Sequence, residues 1–167
     1  GTSNVNIDCQ GHTIDSNDGM LTAINIGYGT DGNSIKNCTI SDWRTGVYLS
    51  SSSGNQISDC NFSSNHYSMY IYKNSDNNNI TGNYIGNEFW AIFVGWGIER
   101  DVSVFPENNL FYNNYFYNNL EHFYFSGTAS DMPVSLSVAS SSRTNIIGGP
   151  SIGGNYWDDN TCSDSNG

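Results

Sequence analysis

Apolar and polar residues alternate in short runs along most of the chain, which is the pattern of half-buried β-strands. Four runs share one form: an asparagine, an apolar residue two positions later, a cysteine or asparagine five positions later and a second apolar residue seven positions later. These runs span residues 33–40, 55–62, 78–85 and 109–116, so their leading asparagines lie 22, 23 and 31 residues apart. Glycines and Asn-Ser clusters between the runs indicate turns.

A second apolar unit follows each run at the same steps, at Val47–Leu49, Met69–Ile71, Ile92–Val94 and Phe123–Phe125. Both units recur at the same steps of 22, 23 and 31 residues, so the chain consists of internal repeats. A repeat period of about 20 to 50 residues indicates a stacked architecture. No stretch has sustained helical periodicity. The pattern predicts an all-β parallel β-helix of about five to six rungs, with two short strands in each rung.

Alternation assigns the inward positions of one rung to Ile35, Cys38, Ile40, Val47 and Leu49. The four leading asparagines are expected to form one column at a turn, since stacked amides hydrogen-bond along the helix axis and asparagine tolerates left-handed backbone. They are Asn33, Asn55, Asn78 and Asn109.

The repeats predict one domain in two parts. Residues 1–128 form the rungs, and residues 129–167 form a final strand and a C-terminal covering segment. Residues near 99–108 lengthen one step of the repeat and are expected to bulge from one side as an insertion. The chain begins in the middle of a motif, so we expect it to be a piece of a longer precursor.

Composition narrows the possible partners. The 167 residues carry a formal net charge of −11 with only five Lys and Arg, so nucleic acid is excluded as a natural partner. No apolar run reaches the roughly 18 residues of a membrane span. A content of 14% aromatic residues together with clear periodicity argues against disorder.

The four cysteines contain no CxxC pair and therefore lack zinc spacing. Cys38 and Cys60 occupy one repeat position, and a rung spacing of about 4.8 Å permits either a disulfide or a buried pair of thiols. Cys9 or His12 is equivalent to Cys38 in the first rung. Cys162 pairs with Cys9 only if the chain ends approach each other, or else with another chain.

Three segments resemble a known family. They are the opening Ile7–Ile14, the repeated Asn-x-Ile rungs and the closing Gly148–Trp157, whose Gly-Gly-Asn-Tyr-Trp ending is the most specific. Together they resemble NosD-type right-handed parallel β-helix proteins, which are widespread in extracellular and cell-surface proteins of methanogenic archaea. The family spans carbohydrate-active enzymes, a periplasmic protein linked to copper-site maturation and surface proteins without known activity. The resemblance therefore implies a right-handed coil and an extracellular or cell-surface location, whereas function transfers poorly.

Sugar-cleaving β-helices need paired carboxylates on one face. Asp59 has no carboxylate above or below it, Asp42 and Glu88 share a phase but lie two rungs apart, and Glu121 aligns with uncharged residues. We therefore expect no catalytic residues and interpret these side chains as solvated surface carboxylates.

Metal sites are weakly indicated. Copper favours clustered His, Met or Cys, but His12, His66 and His122 fall in different rungs. Asp158, Asp159 and Asp164, with Asn160, could hold Ca²⁺ weakly, although relatives often continue this ending into an Asp-Gly run that is missing here. No other cofactor is predicted.

The middle residue of each second unit is expected to point outward. These residues are Tyr48, Tyr70, Phe93 and Tyr124, flanked by Tyr67, Tyr72, Trp90 and Trp96. Exposed aromatic surface on this scale marks an interaction site. The sequence does not decide between three occupants of this surface: the C-terminal segment of the chain, another subunit, or sugars stacked on the rings.

Three N-glycosylation sequons occur, at Asn37, Asn61 and Asn79. Asn37 and Asn61 adjoin inward residues and should face outward, with Asn79 near a turn, so glycosylation is sterically feasible.

These features together favour a non-catalytic extracellular structural protein, a rigid building block of a cell-surface layer, sheath or filament. Self-association into a polymer, or contact with other surface proteins, is the expected partnership. A carbohydrate-binding module and a polysaccharide lyase or hydrolase are the alternatives.

Overall fold

Each repeat folds into one coil of a right-handed parallel β-helix, and the predicted fold class is confirmed. The computed structural model describes residues 2–99, 102–127 and 134–158. Every full rung contributes three strands, whereas the sequence predicted two. The difference arises because the shared eight-residue unit turns at its cysteine or asparagine, as in Ser34–Lys36 followed by Thr39–Ser41.

Three sheets run along the coil, and all pairings within them are parallel. The first sheet contains β1 (Asn6–Asp8), β4 (Ser34–Lys36), β7 (Gln56–Ser58), β10 (Asn79–Thr81), β15 (Asn109–Tyr112) and β18 (Val134–Ser135). The second contains β2 (Thr13–Asp15), β5 (Thr39–Ser41), β8 (Asn61–Ser63), β11 (Tyr84–Gly86), β16 (Tyr115–Tyr117) and β19 (Tyr156–Trp157). The third contains the longer strands β3 (Thr22–Gly27), β6 (Thr45–Ser50), β9 (Tyr67–Tyr72), β12 (Trp90–Gly95) and β17 (Glu121–Phe125).

The insertion predicted near 99–108 contains the one antiparallel pair among the named strands of the described chain. Strands β13 (Gly97–Glu99) and β14 (Val102–Val104) form this hairpin, which leaves the coil after the third-sheet strand β12. The coil then resumes at β15 in register with β10.

The interior is a column of aliphatic and aromatic side chains that repeats from rung to rung. In the second sheet the register stacks Ile40, Phe62, Ile85 and Phe116, and all four are fully buried. At the C-terminal end the Trp157 ring stacks on Phe116 at 4.6 Å and so covers the last coil. Removal of this apolar surface from water is the main stabilising contribution to the stack.

The predicted asparagine column is confirmed at the turn from the third sheet to the first. Each side-chain nitrogen donates to the next Oδ1 at 2.8–2.9 Å, through Asn33, Asn55, Asn78 and Asn109. Left-handed backbone is not the reason for asparagine here. The positive φ falls on the preceding residue, at Gly32, Gly54, Asn77 and Asn108.

The other two turns also contain inward columns. Between the first and second sheets lies the mixed column, formed by Cys38, Cys60, Asn83, Asn114 and Asn155. Between the second and third sheets lies the carboxyl column, formed by Asn65, Glu88 and Asn119. Each column satisfies backbone N–H groups that the turns would otherwise bury without partners.

The disulfide joins Cys9 to Cys38, and Cys60 is a free, buried thiol. Both predicted states of Cys38, a bond to Cys60 or a thiol, are therefore wrong. The first turn is the reason: β1 pairs with β4 at an offset of 28 residues, but β2 pairs with β5 at an offset of 26. The extra residues keep His12 in register with Cys38 and bring Cys9 to a Cα–Cα distance of 4.8 Å from it. Cys162 lies outside the described residues.

Candidate interaction surface

The outer side of the third sheet carries a column of aromatic rings. The parallel register aligns Tyr48 with Tyr70, Tyr70 with Phe93, and Phe93 with Tyr124. Their neighbours in strands β6, β9 and β12 point inward and are buried, as Val47 and Leu49 are, whereas Phe123 and Phe125 beside Tyr124 are partly buried. Tyr67 and Trp90 form a shorter second column at the start of the same strands, three residues before Tyr70 and Phe93. We call these six side chains the aromatic face.

The rings of the aromatic face contact one another continuously. Tyr70 lies 5.2 Å from Tyr48 and 4.4 Å from Phe93, and Phe93 stacks on Tyr124 at 5.1 Å, measured between ring centroids. Tyr67 stacks on Trp90 at 5.4 Å. Offset and edge-to-face pairs of this kind each add roughly 0.5–1.5 kcal/mol beyond area burial. The face is therefore an ordered surface across four rungs.

The face is only half-buried. Tyr124 at its C-terminal end is 37% exposed, and Phe89 beside it is 42% exposed. The His66 ring lies flat on Phe89 at 4.7 Å and extends the surface around the edge of the sheet. Trp96, predicted to flank the column, instead approaches Phe105 beside the inserted hairpin, at 6.4 Å.

Two tyrosines of the face, Tyr48 and Tyr70, are held in the neutral hydroxyl form. Burial among the rings raises the pKa of Tyr70 to about 12, and the neighbouring Tyr48, Tyr72 and Tyr67 add to the shift. Burial likewise raises the pKa of Tyr48. The face thus combines apolar rings with uncharged hydrogen-bonding groups.

The described part of the C-terminal segment lies on the other two sheets. Strand β18 pairs with β15, β19 pairs with β16, and the Tyr84 hydroxyl donates to the Ile146 carbonyl at 2.9 Å. The C-terminal segment was one of the three occupants considered for the aromatic face. Its described residues are therefore located elsewhere.

A shallow hollow of about 250 Å³ adjoins the N-terminal half of the face. It is lined by Thr22, Arg44, Thr45, Tyr48, Tyr67 and Tyr70. Hydroxyl groups, a guanidinium group and ring faces meet there, which is a combination that suits a polar ligand with an apolar side.

The carboxylates considered in the sequence occupy different surroundings among the described residues. Asp59 lies against Gly82, where an added Cβ would meet its Oδ1 at 2.7 Å. Asp42 and Glu121 are exposed. Glu88, interpreted from the sequence as a solvated carboxylate, is buried in the carboxyl column with 3% exposure, so that interpretation is wrong. The repeat steps from Asn65 to Glu88 to Asn119 are 23 and 31, the same as in the asparagine column, and this signal could have placed it.

The three sequon asparagines differ in their surroundings. Asn61 is exposed on β8, and Asn37 sits in a left-handed turn and donates its amide to Asp8 Oδ1 at 3.0 Å. The Oδ1 of Asn79 is buried without a partner. Glycosylation at any of them stays a prediction.

The described residues contain no group of three or more His, Cys, Asp or Glu that could hold a metal ion. Asp158 accepts hydrogen bonds from the Asn118 backbone N–H at 3.1 and 3.3 Å, so its carboxylate closes the last turn. Asp159, Asn160 and Asp164 lie outside the described residues, and a weak Ca²⁺ site there stays a prediction.

A family model described as periplasmic copper-binding protein (NosD) matches residues 2–100 and 95–162. No curated protein and no solved structure is similar enough to the chain to match it. No described segment is a helix long and apolar enough to cross a membrane.

Copper, which the family description names, prefers imidazole, thiolate and thioether ligands. Within the described residues these groups do not converge: Cys9 and Cys38 form a disulfide, Cys60 and Met69 are buried in the core, and burial lowers the pKa of the isolated His66. The described residues therefore do not fit a copper centre.

Proposed function

The chain belongs to the NosD family, and we propose that it is a non-catalytic structural β-helix outside the cytoplasm, a building block of a surface assembly. The observation that carries the proposal is the aromatic face. Contiguous exposed rings are unusual on a solitary soluble protein and are enriched at protein–protein contacts.

The interior supports a structural role. Three columns of hydrogen-bonded side chains and a continuous apolar core link every rung to its neighbours, which makes the coil a stiff unit. A stiff unit suits a layer or filament, because little conformational entropy is lost when its surface binds another molecule.

The proposal is tested by replacing Tyr70 and Phe93 together with threonine, which keeps strand propensity but removes both central rings. Sedimentation velocity and electron microscopy should show concentration-dependent assembly of the wild type, and the double variant should need at least about a hundredfold higher concentration. Tyr115→Thr removes a partly exposed ring from the second sheet and is the matched control. Discrete wild-type monomers at high concentration, or an equal effect of the control, would contradict the proposal.

Carbohydrate binding is the second candidate, and the hollow at Tyr48, Tyr67 and Tyr70 favours it. Ring faces suit the apolar side of a pyranose, and Arg44 is placed to bind an acidic group of a sugar. Binding to a glycan array that is lost in Tyr67→Thr, without assembly of the wild type, would replace the structural proposal by this one. Release of unsaturated or reducing sugars from acidic polysaccharides would instead indicate an enzyme.

A further inference from the structure

The carboxyl column places one acid between two amides in a buried stack. Asn65 Nδ2 donates to Glu88 Oε1 at 3.1 Å, and the Glu88 backbone N–H donates to Asn119 Oδ1 at 3.0 Å. The Trp43 backbone N–H donates to Asn65 Oδ1 at 3.0 Å and continues the column on the N-terminal side. Glu88 therefore occupies a position equivalent to a ladder asparagine.

An ionised Glu88 side chain accepts hydrogen bonds but cannot donate one, whereas an amide does both. In the asparagine column, Asn55 Nδ2 donates to Asn78 Oδ1 at 2.8 Å, and every side chain both accepts and donates. An ionised carboxylate has no donor, whereas a protonated one has an O–H group. Glu88 Oε2 and Ser68 Oγ are both buried without a hydrogen-bond partner, so the second carboxyl oxygen is aimed into a site without solvent.

No ion pair involves Glu88 within the part of the chain that the structure describes. The one ion pair among the described residues joins Lys36 to Asp8. The charge of Asp42 adds to the rise in the pKa of the Glu88 carboxyl as the smallest of its causes. Burial raises the pKa of Tyr117 on β16, and the Glu88 charge adds to that rise. His66 follows Asn65 with its pKa lowered by burial, and His122 Nδ1 lies 3.1 Å from Asn119 Nδ2.

We propose that Glu88 is a proton-sensitive element of the fold: its neutral form completes the carboxyl column, and loss of the proton destabilises the turn from β11 to β12. Strand β12 begins two residues later with Trp90 and also carries Phe93, so this turn supports the centre of the aromatic face. The inference does not rest on the proposed function, because its tests measure protonation and folding and not assembly.

The direction of the pH effect follows from linkage. Burial raises the pKa of Glu88 from 4.5 to about 8, the Asp42 charge adds to the rise, and the hydrogen bond from Asn65 and the nearby Ser68 hydroxyl act against it. Since the folded protein holds the proton more tightly than the unfolded chain, stability is fully present below pH 4.5 and falls until about pH 8. Within that window the unfolding equilibrium constant should rise by up to about tenfold per pH unit.

The test is urea unfolding of wild type and Glu88→Gln between pH 5 and 9. Glutamine keeps the length of the side chain, cannot ionise and supplies a donor. The ratio of the two unfolding constants should grow by at least about a hundredfold from pH 5 to 8 and then level off. Glu121→Gln removes an exposed carboxylate and is the matched control, which should follow the wild type. A ratio that does not change with pH would overturn the proposal.

A second measurement on the wild type keeps the proposal testable if Glu88→Gln does not fold. Carboxyl ¹³C NMR of the selectively labelled protein should show one glutamate that titrates near pH 8. Titration of every glutamate below about pH 5 would equally overturn the proposal.

Discussion

The asparagine column and the carboxyl column occupy equivalent inward positions at two turns of the same coil, but one contains only amides and the other contains a carboxylic acid. Asn78 accepts from the Asn55 backbone and side chain and donates on to Asn109. Glu88 accepts from Asn65, but its second oxygen is buried without a partner. The residue before each has a positive φ, Asn77 in one turn and Asn87 in the other, so the comparison centres on the chemistry of the side chain. A stack of amides is insensitive to pH, and one acid in that stack makes the rung sensitive.

Asn78→Asp should reproduce the carboxyl column in the asparagine column and give the largest effect. The buried carboxylate loses the donor to Asn109 and acquires a raised pKa. Stability should fall by about 4 kcal/mol at pH 8 and by less at pH 4, where the acid is neutral in the folded protein and only about half ionised in the unfolded chain. Urea denaturation at the two pH values measures this difference, and an equal loss at both would show that charge is not the cause.

Asn78→Ala breaks the asparagine column without adding charge. The Asn55 backbone N–H, the Asn55 amide and Asn109 Oδ1 each lose a partner inside the coil. We expect a loss of about 3 kcal/mol that does not vary with pH, measured by urea denaturation. Asn61→Ala removes an exposed amide on the outer side of β8 and should change stability by less than about 0.5 kcal/mol.

Phe93→Thr tests whether the aromatic face contributes as much to stability as the inward columns do. The ring contacts Tyr70 at 4.4 Å and Tyr124 at 5.1 Å, but no buried polar group depends on it. The expected loss of stability is about 1.5 kcal/mol in thermal or urea unfolding. A loss as large as that of Asn78→Ala would mean that the aromatic face is part of the core.

Cys60→Asn sharpens the comparison by extending an amide stack into the mixed column. The Cys60 backbone N–H already donates to Asn83 Oδ1 at 3.0 Å, and the Cys60 Sγ faces the Ile35 carbonyl at 3.9 Å. An amide there can donate to both oxygens, so stability should change by less than about 1 kcal/mol. A loss above about 2 kcal/mol would show that the columns are not interchangeable.

The repeated positions were predictable because stacking makes each rung a template for the next. The asparagine column, the inward Ile35 and Leu49 and the outward Tyr70 and Phe93 all follow from spacing and alternation. The sequence predicted two strands in each rung, whereas the structure has three. The turn at Cys38 contains only two residues and leaves the alternation of apolar and polar positions almost unbroken.

The two features that were not predicted have different causes. Glu88 was interpreted as a surface residue because carboxylates are almost never buried unpaired. The Cys9–Cys38 disulfide depends on two extra residues in the first turn, Gln10 and Gly11, that shift the register within one rung. The spacing of Asn65, Glu88 and Asn119 marks the inward position of Glu88, whereas the repeat spacing does not report the register shift in the first turn.

The inserted hairpin leaves the stack around it undisturbed. Asn78 lies 31 residues before Asn109 and Asn55 lies 23 before Asn78, but the amide hydrogen bond is 2.8 Å long in both steps. The spacing between neighbouring rungs therefore does not depend on the number of residues in the connection between them. Because loop closure costs only about 0.6 kcal/mol for each doubling of length, the site after β12 should accept a grafted peptide or small domain. Natural insertions at the same connection can add structure without changing the coil.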